Sequence, residues 1–105
     1  MRTLEKDLTP FAFEELDVST TAVGLTQATA FPDGVKGADL AICTIEDDAV
    51  RWRDDGLAPT ATVGQLAAVS TALTIRGAAS LKNVKFIRVT TDADINVTYY
   101  REGGA

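Results

Sequence analysis

Histidine is absent from this 105-residue chain and cysteine occurs once. Without imidazole the chain lacks the commonest metal ligand and the side chain whose ordinary pKa makes it a general base near neutral pH. A Cys–His nucleophile pair is excluded with it, and a lone Cys43 excludes an intramolecular disulfide. Set in the apolar run Leu40–Ile45, Cys43 reads as a small core hydrophobe. No apolar run reaches the length of a membrane span. The opening Met1-Arg2-Thr3-Leu4-Glu5-Lys6-Asp7 carries charges where a secretory signal needs an apolar segment. These absences predict synthesis in a cytoplasm-like compartment, with no membrane partner and no cofactor or metal.

Positive charge is also scarce: ten Lys and Arg stand against fifteen Asp and Glu, for a net charge of −5. The basic residues are scattered, which argues against nucleic acid, whose binding draws on clustered cations to displace counterions. What is present is enough for a core. Apolar residues make up 46% and charged residues 24%, outside the range of a disordered chain. A single domain of this length buries about 65% of its unfolded surface and needs no disulfide or metal staple.

Residues 1–15 differ in texture from the rest. Charges are frequent, Pro10 interrupts, and Leu4, Leu8, Phe11 and Phe13 are apolar residues costly to leave in water. Two readings are open: a frayed terminus, or a docking arm, with those four residues as anchors, that orders on a neighbour. From Leu16 onward the pattern is β, and residues 16–105 form the expected domain. Leu16–Val23 is rich in β-branched residues. Thr26–Ala38 reads as a loop with Pro32-Asp33-Gly34 at its turn. Asp39–Glu46 and Ala49–Arg53 read as strands of one hairpin across the acidic turn Glu46-Asp47-Asp48. Ala58–Ala72 reads as a long structured loop with a short strand at its middle. Leu73–Arg76, Val84–Thr90 and Ile95–Tyr99 are further strands, with Ala78-Ala79-Ser80 as a turn, and Ile95, Val97 and Tyr99 alternate inward against Asn96, Thr98 and Tyr100. Short strands, Gly and Pro turns and no convincing helix predict an all-β antiparallel sandwich, jelly-roll or immunoglobulin-like, or a small barrel.

The chemistry-bearing residues do not assemble into a reaction motif. Asp47, Asp48, Asp54, Asp55, Asp92 and Asp94 fall in turns, where solvated acids are the simplest reading. Asp92-Ala93-Asp94 resembles a fragment of a calcium loop, without the twelve-residue spacing of an EF-hand. No glycine cluster opens a phosphate-binding helix. Trp52, Tyr99 and Tyr100 suggest a sugar platform, but Trp52 and Tyr99 occupy inward positions, which leaves Tyr100 as the interface candidate. Arg51 and Arg53 share a strand face and could pair with Asp54 and Asp55 of a neighbouring copy.

The ordered combination of Arg51-Trp52-Arg53-Asp54-Asp55-Gly56-Leu57-Ala58-Pro59-Thr60-Ala61-Thr62-Val63-Gly64, then Leu73-Thr74-Ile75, then Lys82-Asn83-Val84-Lys85-Phe86-Ile87-Arg88, and the closing Ile95–Tyr99, resembles small structural proteins of tailed bacteriophages. The resemblance covers residues 38 to 100. It implies a non-enzymatic virion component, a compact β-sandwich present in several copies. Capsid decoration as a homo-oligomer, a trimer being the form such proteins commonly take, on a major capsid protein is the first expectation. A neck or tail component is the second, and a carbohydrate-binding module is the rival of another class.

Overall fold

Alternation in the last strand sets the architecture. In β8 (Ala93–Glu102) the side chains of Ala93, Ile95, Val97 and Tyr99 are buried, and those between them are half-exposed. The computed structural model describes residues 7–102. In chain order its strands are β1 (Leu8–Val18), β2 (Val23–Gly24), β3 (Leu40–Glu46), β4 (Val50–Arg53), β5 (Gln65–Ala67), β6 (Ala72–Arg76), β7 (Lys85–Arg88) and β8. Two short helices, α1 (Gln27–Ala30) and α2 (Ala78–Asn83), interrupt the β texture.

The strands make two antiparallel four-stranded sheets, ordered β1-β8-β3-β6 and β2-β7-β4-β5. The chain is an eight-stranded ribbon rolled upon itself. First pairs with last, β2 with β7, β3 with β6 and β4 with β5, successive pairs alternating between the sheets. Contacts of β8 with β3 and of β7 with β4 close the roll. That connectivity is a jelly roll, one of the two sandwich types the sequence predicts. The core lies between the sheets, with Phe86, Val50, Ile45, Ile95, Val97 and Tyr99 fully buried. Trp52 packs against it, partly buried.

Three expectations change. The β3–β4 hairpin does not form, because the two strands belong to opposite sheets. Glu46-Asp47-Asp48 is a corner: Asp47 takes a positive φ of 73°, which Asp tolerates better than most residues. The Asp48 carboxylate accepts from the Ala49 and Thr91 N–H groups and the Thr91 hydroxyl, tying the corner to the β7–β8 turn. The expected turn at 78–80 is the start of α2, which buries Leu81 completely. Its six residues carry one buried side chain, too few to print a helical period on the sequence.

The expected arm over residues 1–15 divides. Residues 1–6, Leu4 among them, lie outside the described residues. Residues 8–15 open β1, which is in register with β8 from Leu8↔Glu102 to Val18↔Ala93. Every second side chain of β1 completes the core instead of standing off it: Leu16 and Val18 are buried, and Ala12 packs beside them. Glu14 points the same way, and its carboxyl accepts from the buried Tyr99 hydroxyl and from the Thr26 N–H (3.0 Å) and hydroxyl (2.6 Å). An acid in an inward position is thereby satisfied.

Candidate functional site: two outer sheet faces

The register of the larger sheet arranges its outer face in rows. Pro10, Tyr100, Leu40 and Arg76 form one row, and Phe13, Thr98, Ile42 and Thr74 the next. Leu8 lies beyond the first, opposite Glu102. Leu8, Leu40, Ile42, Thr74, Arg76 and Tyr100 line an open hollow of about 320 Å³, and Phe13 is 62% exposed. At the other end of the sheet Asp17, Asp94 and Glu46 lie side by side on three adjacent strands. Like charges directly opposite one another destabilise a sheet. The carboxyls of Asp47 and Asp17 beside Asp94 hold its pKa up at about 6.

A β-bulge between Pro10 and Ala12 sorts the expected anchors. The extra residue turns Phe11 and Ala12 both against the core. The Phe11 ring lies 6.5 Å from that of Tyr99, with the Arg101 guanidinium 4.6 Å above it. Leu8 and Phe13 remain on the outer face with Tyr100, so three of the sequence candidates converge there. Burial pushes the pKa of Tyr99 upward, reinforced by Glu14, and burial pushes that of Cys43 up to about 12. Both are core groups.

Arg51 and Arg53 stand on the outer face of the other sheet, pointing away from Tyr100. Asp54-Asp55-Gly56 and Gly64 close the β4–β5 loop over them. Gly64, at φ 134°, sits where a Cβ would come within 3.1 Å of the Trp52 carbonyl and Pro59. Arg51 donates to the carbonyls of Ala61 (3.3 Å) and Gly64 (3.2 Å). Arg53 holds Asp55 by two hydrogen bonds of 3.0 and 2.5 Å. The expected pairing of Arg53 with an acid of a neighbouring copy is therefore met inside the chain, the acid lying two residues away. Its guanidinium holds the Asp55 carboxyl below the usual range. Asp54 accepts from the Ser80 hydroxyl at 3.1 Å. An open cleft of about 450 Å³ lies between Arg53, Asp55, Val63 and Gln65, and Leu57 (60%), Val63 and Leu66 (57%) are exposed around it.

Sequence reading missed Ile42, Leu40 and Arg76 as companions of Tyr100, and Leu66 and Lys85 as companions of Arg51. The near-continuous apolar runs of β3 and β7 do not mark which of their positions face outward, and the neighbours of those positions depend on pairings between strands far apart in the chain. No protein-family model, curated protein or solved structure matches the chain.

Proposed function

We propose that this chain is a non-enzymatic structural protein of a tailed-bacteriophage virion, a capsid decoration protein that binds the outer head shell as an oligomer. The observation that carries the reading is the apolar end of the β1-β8-β3-β6 face, where Leu8 and Tyr100 line an open hollow and Phe13 stands exposed on the same face. A sheet face with that much apolar side chain in water is a surface built to be covered. The jelly roll adds support by analogy, since capsid and lectin domains both use it. Missing histidine and a buried, poorly acidic thiol favour a binding role over catalysis. A neck or tail position in the particle is the alternative within the same class. The glycan-binding reading is weaker, because Trp52 packs on the core and Tyr99 is buried, leaving Tyr100 alone of the three aromatics on a surface.

The test is co-sedimentation of the purified chain with heads of the phage that encodes it, stripped of accessory proteins. Wild-type protein should pellet with the shells, and Phe13→Glu should stay in the supernatant with its circular dichroism unchanged. Binding unaffected by Phe13→Glu would move the contact elsewhere. Glycan binding lost on Tyr100→Ala would favour the lectin-like reading.

A further inference from the structure

An edge strand leaves half of its backbone groups without a partner in the sheet, and the edges here differ in how they are guarded. On β1, Pro10 has no N–H to offer and the bulge beside it breaks the line. β2 and β5 run for only two and three residues. β6 runs for five, with no proline, no bulge in its pairing with β3 and no charge before its last residue, Arg76. Its phase follows from the bonds at its two ends. The Ile45 N–H donates to the Thr71 carbonyl (3.0 Å) and the Gly77 N–H to the Asp39 carbonyl (2.8 Å). Hydrogen-bonded pairs alternate along an antiparallel ladder, so Leu73 and Ile75 are the residues that bond to Cys43 and Ala41. The N–H and C=O groups of Ala72, Thr74 and Arg76 therefore point off the sheet, where neither a further strand nor a loop bonds them among the described residues. All three residues are exposed.

We propose that β6 is a dimerisation edge: two copies of this chain pair β6 on β6, antiparallel about a two-fold axis at Thr74, joining their larger sheets into one. The strand is complementary to itself in this register. Thr74 faces Thr74, a favourable cross-strand pair, and Ala72 faces Arg76, so every outward N–H and C=O meets its counterpart. On the core side Leu73, which the single chain leaves half-exposed, faces Ile75 of the second copy. The two Arg76 Cα atoms stay about 14 Å apart.

Charge matches as well. The two-fold brings Arg76 of one copy, on the outer face, towards the acidic row of the other. Its Cα comes to lie about 12 Å from that of Glu46, two strands across and two residues along, within reach of two long side chains. Glu46 is exposed, and neither residue joins an ion pair among the described residues. Five residues give about 17 Å of edge, so the contact falls below the roughly 800 Å² per partner of a standard stable interface and the dimer is weak. Because the contact is isologous, it closes at two copies. Thr74 and Arg76 also border the hollow of the outer face, but the pairing uses main-chain groups and leaves Leu8, Phe13 and Tyr100 uncovered.

Sedimentation velocity up to about 1 mM, with amide hydrogen exchange on the same samples, tests it. Wild-type protein should pass from monomer to dimer and stop, and exchange at Ala72, Thr74 and Arg76 should slow as concentration rises. Thr74→Pro removes an N–H that bonds nothing inside the fold, so it should leave the circular dichroism unchanged and the protein monomeric; should it unfold the chain, Thr74→Lys, which sets like charges across the axis, replaces it. Phe13→Glu should dimerise like wild type. Arg76→Glu and Glu46→Arg should each weaken the dimer about tenfold, and the two together should restore it. A monomeric wild type, a dimer that survives both Thr74 substitutions, a dimer lost in Phe13→Glu, or a charge swap that restores nothing would overturn the proposal. Monomers that still coat shells sink this inference alone, whereas dimers that ignore shells sink the proposed function alone.

Discussion

Replacing Glu14 by alanine removes three hydrogen bonds at once, and their costs differ because their surroundings differ. Tyr99 is fully buried, so its hydroxyl loses its partner where water cannot replace it, at about 1–3 kcal/mol. The Thr26 N–H and hydroxyl are at the surface, and water takes over there for about 0.5 kcal/mol. Glu14→Ala should therefore destabilise by about 2–3 kcal/mol. Tyr99→Phe keeps the ring in the core and removes only the donor, for about 1.5 kcal/mol. The double variant leaves no orphaned hydroxyl, so its cost should fall about 1–2 kcal/mol short of the sum of the singles. Urea unfolding reads this directly. With a slope of about 1.5 kcal/mol/M, the Glu14→Ala midpoint should drop by about 1.3–2 M. Additivity within about 0.5 kcal/mol would show that the two side chains do not meet, and with that the inward placement of β1 would fail.

Asp94→Asn should raise the melting temperature at pH 7 and change it little at pH 4. The folded-state pKa of Asp94, held up at about 6 by Asp47 and Asp17, lies above its unfolded value. The group therefore favours the fold below about pH 4, and that contribution is lost as pH rises through 6. A melting curve with the same pH dependence in variant and wild type would refute the placement of the acidic row. Deleting residues 1–15 should unfold the domain, because it strips most of β1 from β8 and uncovers Val97 and Tyr99. A truncated chain with native dispersion in its amide spectrum would mean that residues 8–15 are an arm after all.

The strands that alternate cleanly were legible in the sequence. β8 announces itself through Ile95, Val97 and Tyr99 against Asn96 and Thr98, and β6 follows the same rule with Leu73 and Ile75 against Thr74 and Arg76. The first part of β1 was hidden because Pro10, Glu14 and Glu15 read as terminus. Each is explained by pairings invisible in one dimension: Pro10 sits at a bulge, Glu15 faces solvent, and Glu14 meets Tyr99 from 85 residues away. The β3–β4 hairpin was misread for a related reason. Adjacent strands joined by a short acidic segment look alike whether the chain reverses within a sheet or turns a corner into the next. The candidate site was half legible. Leu8, Phe13 and Tyr100 were singled out separately as apolar or aromatic interface candidates, but their meeting on one face requires the pairing of β1 with β8. Arg51 and Arg53 were also singled out, and the structure sets them on the opposite sheet, where Arg53 already has its acid.

The central claim is that this chain is a structural subunit of a virus particle. Quantitative mass spectrometry of purified virions whose genome encodes it tests that claim most directly. The account predicts the chain in intact particles, in a fixed ratio to the major capsid protein and in numbers that scale with the shell rather than with a single ring. A fixed but small ring-like copy number would place it at the neck or tail. Particles that are complete and infectious without the chain, and never contain it, would contradict the account.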